Sequence, residues 1–505
     1  MTKSKISILN ALSSLLQMIV TSVLGLVLGR SILTHFGSDY NGVNSTVTQI
    51  VSTLMIFEGG FTLASNVALF EPFSKKDYDR INGILSATKR RFLIIGLWVG
   101  AVGAGLSAIY PFAVSSAMPK WMIGALMLTV VFPTFVNLAF NMKFRVLILA
   151  AQKEYIISVF TTITYIIGNV LAIVLIQCGA SLLVARLVIM FSMLAGYVMI
   201  AGYCTRAFSF VSFKAPPMFN EIKGTKSVVA LKVMSVFYTS APIILISMIP
   251  GEGVLLASVY AVYKSIVYTV KNALVALCNA PRLSFGALFA EGDFHSAKRY
   301  FDKYEMVTCI FISVFLGVTC FLLLPFIELY TQGVTDINYR NIPIAIMLLL
   351  TSFIEICHIP SGQIIQMKGD FAESKRMQTV ACVILIVSMA LGRIFFGVEG
   401  VIFSVLLAAI VLAIMEISYV AKNIFHRNVF DLIKNFLPCA FVLLVASFLG
   451  MGDWIKIENY IEFILAGFAS VLVFGIVTFL LYFLVKKDQL LELVAFAKRT
   501  FLKKK

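Results

Sequence analysis

The sequence predicts an all-α, polytopic membrane protein of about fourteen transmembrane helices in two six-helix parallel-repeat lobes with two extra C-terminal helices. Three observations predict it. Apolar runs long enough to span a bilayer, about 18 residues or more, recur from one end of the chain to the other. Charged residues make up 13% of the 505, where a soluble protein carries about 25%. The mean hydropathy is +0.95. Spanning strands would alternate apolar and polar residues over about ten positions. These runs are continuous instead, and in lipid a helix satisfies its own backbone.

The spans are expected at 8–34, 42–70, 91–112, 119–142, 155–177, 181–203, 228–249, 253–281, 304–327, 341–367, 377–396, 398–420, 432–450 and 460–485. The first is too long for a cleavable signal peptide and lacks a small-residue cleavage site. The layout repeats itself. Gly37 and Gly251 each begin a short outer turn, followed by a long span. The loops EPFSKKDYDRI and FAEGDFHSAKRY then align at Asp77 and Asp293, and the next spans end IYPF and LLPF at Pro111 and Pro325. The offsets are 214, 216 and 214. A six-span unit repeated once has the same orientation twice, and transporters built so place the substrate site between halves near mid-membrane. The expected organisation is a lobe over 1–203, a cytoplasmic linker over 204–227 with K-A-P-P, a second lobe over 228–421, two additional helices over 432–485, and a basic amphipathic tail over 486–505.

The net charge of +16 is a matter of topology. With the N-terminus cytoplasmic, thirty-two Lys and Arg fall on the cytoplasmic side, against Lys120, Arg340 and Lys456 outside. That is the positive-inside bias, and it places both termini in the cytoplasm of a cell that holds the chain in its plasma (inner) membrane. The surplus attracts anionic membrane lipid, and nucleic acid is not an expected partner. The eight cysteines are scattered and form no C-x-x-C pair. They read as small soft hydrophobes. No Walker A pattern appears, so ATP hydrolysis is not expected. No serine-histidine-acid set is arranged for catalysis, and no outer loop is large enough for an enzyme site, so a transporter is expected and not an enzyme.

A charge at bilayer depth costs at least about 2.5–3.5 kcal/mol and therefore faces a wet cavity. Arg186, Arg393, Glu416 and Lys232 lie near span ends and are read as snorkelling to the interface. Glu58, Lys264, Lys271, Glu355 and His358 lie near mid-span, with Arg30 toward the outer end of the first. Seven residues separate Lys264 from Lys271, so both share one helix face, about 10 Å apart. Tyr260 and Tyr268 share roughly that face. Two readings stand. The stripe is an anion site, since lysine binds phosphate well as a point charge, or the lysines are structural and neutralised by Glu58 and Glu355. Glu58 precedes Gly59 and Gly60, which permit close helix approach or bending. The repeat offset sets it at the depth of Asn272, beside Lys271. It reads as a partner for Arg30 or Lys271, with a proton or sodium site as the alternative. Glu355 and His358 share a face above Pro360 and read as a titratable or structural pair. Their E-x-x-H spacing occurs in di-metal bundles, but the repeat offers no second copy, only Asn141, Phe140 or Ala139. Neither metal nor cofactor is expected, apart from coupling to an H+ or Na+ gradient.

The segment LVLGRSILTHFGSDYNGVNSTVTQIVSTLMIFEGGFTLASNVALFEPFSKKD resembles the N-terminal region of polysaccharide repeat-unit flippases of the multidrug/oligosaccharidyl-lipid/polysaccharide exporter superfamily. Arg30, the turn between Gly37 and Gly42, the E-G-G of Glu58, Gly59 and Gly60, and the loop with Glu71, Pro72 and Asp77 match in order. The resemblance implies two lobes that flip an undecaprenyl-pyrophosphate-linked oligosaccharide by alternating access. The stripe of Lys264 and Lys271 with Tyr260 and Tyr268, together with Arg30, fits a pyrophosphate or acidic-sugar substrate of that kind, and the ion coupling thought to drive such proteins would suit Glu58 or Glu355, with His358 as a further coupling or gating candidate. A polymerase and glycosyltransferases would be its partners. A cation-coupled multidrug exporter and a lipid II flippase are the alternatives. The second typically carries several arginines in the first spans, where this chain has Arg30.

Overall fold

The computed structural model describes residues 3–222, 225–279, 285, 288, 289, 291–452 and 456–493. The described residues form helices throughout, and eleven of these are long and apolar enough to cross a membrane. The chain is a multi-pass membrane protein. Those eleven helices carry thirteen of the fourteen expected spans for a simple reason. Two of the helices run through a glycine kink and so hold more than one span. Lys3–Leu54 bends at Gly37 and Phe371–Tyr419 bends at Gly397. The seventh span is described as a shorter apolar helix, Met234–Ser247. The second span runs from the Gly37 kink to Leu54, stops at Met55 and resumes as Ile56–Lys75. Glu58, Gly59 and Gly60 occupy the first turn after that break. The side chains of Lys232, Gly59 and Gly60 and tail residues 494–505 lie outside the described residues.

The landmarks that suggested a repeat recur in backbone geometry. Gly37 and Gly251 both have φ +82°. Asp77 and Asp293 both cap helices, accepting from the backbone N–H groups of Arg80 at 3.1 Å and Ser296 at 3.0 Å. An aspartate at this position satisfies an orphan amide of the first turn. Pro111 and Pro325 both lie inside helices toward their C-terminal ends.

The chain divides into two compact units, Met1–Ala261 with Gly333–Ile337, and Val262–Gln332 with Asn338–Lys505. The boundary falls within the helix Gly253–Asn279, and stretch 204–222 lies in the first unit.

In the first unit the segment after the Gly37 kink is the core. Val43, Val47, Ile50 and Val51 pack with Tyr110, Met122, Ile123 and Val254. The kink leaves new helix amides at Ser38, and Asp336 satisfies them. Its carboxylate accepts from Ser38 N and Ser38 Oγ, both at 2.6 Å. Gly37 combines φ +82° with ψ 179°, a region open essentially to glycine, where other residues lose about 1–3 kcal/mol. A Cβ there would also stand 2.9 Å from Asp336 Oδ2. Gly37→Ala is therefore expected to lower unfolding stability by about 2 kcal/mol, measured by denaturant titration in detergent. Helices Glu154–Gln177 and Leu182–Ala207 approach closely through Gly168 and Gly196, where a Cβ would meet Ser192 and Thr164 at 2.8 Å. Small residues are how membrane helices gain contact area.

In the second unit the helix Ile342–Lys368 starts on Asn341, which accepts from Ile344 N at 3.0 Å, and ends on left-handed Gly369. The helices Val429–Met451 and Tyr460–Val485 pack on Gly317–Tyr330. A polar cluster anchors them. Arg427 pairs with Asp302 at 2.5 Å, and Asn435 donates to the buried Glu305 at 2.6 Å and accepts from Lys486.

Candidate functional site

Helix segments of the second unit build the candidate site. The helix Gly253–Asn279 carries Lys264, Tyr268 and Lys271 at spacings of four and three, which places them along one face. Both ammonium groups approach the Tyr268 ring, with Lys271 Nζ 3.4 Å and Lys264 Nζ 5.2 Å from its centroid. A ring face attracts a cation, more strongly once water is excluded. Tyr260 lies one turn earlier and is 1% exposed, so its phenol sits in packed surroundings in the first unit.

The helix Ile342–Lys368 faces this stripe with Glu355. Lys271 Nζ donates to Glu355 Oε2 at 2.7 Å, and both side chains are largely buried. One turn on, His358 Nδ1 lies 2.8 Å from Glu416 Oε2. Glu355 and His358 thus share a face of one helix but serve different partners. Lys264 and Lys271 thus approach the Tyr268 ring and Glu355 pairs with Lys271, while Glu416 is hydrogen-bonded to His358.

Glu416 does not snorkel. It is 3% exposed and turns inward, because Gly362 leaves room on the facing helix. A Cβ at Gly362 would meet Glu416 Oε2 at 2.7 Å. A buried carboxylate with a hydrogen-bond partner is better placed than one half-desolvated at a helix end. Glu416 is a member of this site that depth along the span did not single out. The nearest signal in the sequence was its carboxylate inside an otherwise apolar run. Glu305 escaped notice for the same reason, lying at the first turn of its expected span.

In the first unit, Arg186 also turns inward and does not snorkel. Its Nε donates to Asn44 Oδ1 at 2.5 Å and its Nη2 to Thr48 Oγ1 at 3.2 Å. Asn44 and Thr48 are one turn apart on the segment after the Gly37 kink, so together they meet the width of a guanidinium. Glu58 is half-buried, and its carboxylate accepts from Thr62 Oγ1 at 3.3 Å. Arg30 is half-buried in the same unit, and Arg393 in the second. Among the described residues no group of His, Cys, Asp and Glu has the grouping of a metal site.

No family model matches the chain, and no curated protein matches it. Solved structures do. A structure described as the lipid II flippase MurJ in an inward closed conformation superimposes with a TM-score of 0.69 at 15% identity, covering 93% of this chain and 98% of that one. An inward-facing multidrug resistance MATE family transporter of the MOP superfamily follows with a TM-score of 0.60 at 13% identity, over 84% and 95%. The Vibrio cholerae MATE transporter VcmN gives 0.55 at 12% identity, over 85% and 99%. The fold of this chain is therefore the polytopic helical fold shared by a lipid II flippase and by MATE transporters of the MOP superfamily.

Proposed function

We propose that the chain is a flippase, a transporter and not an enzyme. It moves undecaprenyl-pyrophosphate-linked oligosaccharide repeat units from the cytoplasmic to the outer leaflet by alternating access, for capsule, exopolysaccharide or O-antigen assembly. The observation that carries this reading is the Lys264–Tyr268–Lys271 stripe with Glu355 against one end of it. Two cations at a few ångströms from one ring, with one carboxylate on them, suit an anion of more than one negative charge. A diphosphate group arriving there replaces Glu355 as the partner of Lys271 and brings a charge that Lys264 also feels. In a medium of low dielectric that exchange is worth more than in water. The carboxylate it releases is the counter-charge that returns when the substrate leaves. The excess of Lys and Arg on one side puts both termini in the cytoplasm of the cell membrane.

The reading is tested in the host by deleting the gene. Loss of surface polymer with lipid-linked repeat units accumulating inside is the expected result. Polymer made normally overturns it. The likeness to a lipid II flippase at a TM-score of 0.69 favours a second reading, in which deletion lyses cells with the peptidoglycan precursor accumulating. The MATE likeness supports a third, an exporter of cationic drugs, in which deletion raises drug sensitivity and leaves polymer intact.

Coupling to an H+ or Na+ gradient is assigned here to Glu58, Glu355 and His358. Glu58 stands directly after the break at Met55, where a change of charge bears on the bend. Glu58→Gln is expected to reduce transport several-fold, with the rate followed over about pH 6 to 8, the range in which a histidine changes charge. An initial-rate assay in proteoliposomes checks it, and an unchanged rate across that range removes Glu58 from coupling.

A further inference from the structure

The second unit holds an apolar cavity apart from the lysine stripe, lined by no residue of the helix Gly253–Asn279. Three helices enclose it. Phe371–Tyr419 contributes Ile410, Ala413, Ile414 and Ile417, whose spacings follow one helix face. Val429–Met451 contributes Phe436, Leu437 and Ala440, and Ile342–Lys368 contributes Phe353 and Cys357. The volume is about 260 Å³. A packed interior has few voids larger than one water, and walls this apolar do not hold water.

The cavity has a floor and an open side. Ala413 and Phe436 are 6% and 8% exposed, whereas their neighbours Ile414 and Leu437 are each 60% exposed. The exposed pair forms a rim on the outside of the helices, where the medium is lipid. The long axis runs with the helices. Ser418 and Val429 mark one end, beside stretch 420–428 that joins the two helices. From Ser418 back to Ile410 is about 12 Å of helix, and from Val429 to Ala440 about 16 Å. Half the hydrocarbon core of a bilayer is about 15 Å. The cavity therefore has the depth of one leaflet, beginning at its interface. Cations stand at that end. Lys422 lies four residues beyond Ser418, and Lys434 three before Leu437, about one turn from the lining in each case. Both lysines are exposed, and Arg427 between them pairs with Asp302. Loops rich in lysine and arginine face the cytoplasm, so the leaflet concerned is the cytoplasmic one.

We propose that this cavity holds one acyl chain of an anionic phospholipid of the cytoplasmic leaflet, with the headgroup phosphate at Lys422 and Lys434. An acyl chain enters between Ile414 and Leu437 from the bilayer and crosses no polar surface on the way. It is flexible enough to fill an irregular slot, and the slot is as deep as its leaflet. The lysine stems lie along apolar surface while their ammonium groups stay at the interface, where each gains from a negative headgroup. The lipid is a resident one that fills the space between Val429–Met451 and its neighbours. The site does not depend on the flippase reading, since it concerns binding and not transport.

The full-length chain, delipidated in detergent, is titrated with dioleoyl phosphatidylglycerol and with dioleoyl phosphatidylcholine, and bound lipid is counted by native mass spectrometry. Phosphatidylglycerol is expected to bind about thirtyfold more tightly, the preference that two lysines at a membrane surface support. Ala440→Phe fills the cavity and is expected to weaken binding of both lipids about tenfold, as the loss of two methylene contacts would. Lys422→Gln with Lys434→Gln is expected to abolish the preference and to leave phosphatidylcholine binding unchanged. Both positions are exposed, so this variant keeps the test open if Ala440→Phe does not fold. Lys375 is the control, an exposed cation of the same unit that does not line the cavity, and Lys375→Gln is expected to change neither affinity. In competition at equal concentration, phosphatidylglycerol is expected to stay bound against undecaprenyl phosphate. The proposal is overturned if the two phospholipids bind alike, if the double Gln variant keeps the preference, or if Ala440→Phe elutes as a folded protein and binds as the parent does. Displacement by undecaprenyl phosphate, or an equal effect of Lys375→Gln, overturns it too. Because no step of this assay involves flipping, its failure leaves the transport reading standing, and failure of the deletion experiment leaves this one standing.

Discussion

Lys271→Ala is expected to cost about 3–5 kcal/mol of stability, and Lys271→Ala with Glu355→Ala much less than that. The pair meets at 2.7 Å with side chains 10% and 15% exposed. Breaking such a pair from one side leaves a buried charge without compensation, while removing both ends exchanges a desolvated ion pair for apolar surface. The measurement is a double-mutant cycle by denaturant unfolding in detergent. A loss in the double variant equal to the sum of the two single losses would show that the ion pair adds nothing beyond packing.

The same cycle separates folding from transport. Lys264→Ala with Lys271→Ala is expected to abolish surface polymer. Adding Glu355→Ala to that pair restores a stable protein but not transport, because both cations that would meet the substrate are still missing. Polymer restored by the triple substitution would make the lysines structural and sink the anion reading. Polymer unaffected in the double variant, with the protein present in the membrane, would do so more directly.

Gly42→Val is expected to prevent accumulation of folded protein, and Gly42→Ala to cost about 3 kcal/mol, the upper part of the usual range for overpacking. A Cβ at Gly42 would lie 2.0 Å from the carbonyl oxygen of Val254 and 2.9 Å from its carbonyl carbon. Neither atom belongs to the flexible end of a side chain, so the backbone itself must move. The move stretches the buried bond beside it, from Asn41 Nδ2 to Ser258 Oγ at 2.7 Å. Gly105 serves as the comparison, since nothing lies within 4 Å of its added Cβ. Gly105→Ala is expected to leave stability unchanged or slightly raised, as alanine is the better helix former. Fluorescence-detected size exclusion with thermal challenge distinguishes the two glycines. Equal tolerance at both would mean that the Gly42 contact is not tight.

Periodicity made the lysine stripe readable in advance. Lys264 and Lys271 had to share a face because the helix repeats every 3.6 residues, and that needs no knowledge of neighbours. It could not say what met the stripe. Glu355 is 84 residues from Lys271, and Glu416 is 58 from His358. Such pairings depend on which helices become neighbours, and apolar helices in lipid carry little sequence information about that. Contact there is decided by small residues and shape, as at Gly362 under Glu416. Span ends misled for the same reason. Arg186 and Glu416 were near enough to water to reach it, and only the neighbouring helix decided that Asn44, Thr48 and His358 were closer.

The amino-acid order alone determined that this chain crosses a membrane many times as helices, which of its glycines and aspartates punctuate them, and which cations share a helix face. Those are local consequences of hydrogen bonding in lipid and of helical pitch. Tertiary structure decided the partner of each buried charge and the burial of Glu305 and Glu416. Those outcomes rest on packing between segments distant in the chain, where the energy of a contact exists only once both surfaces are present.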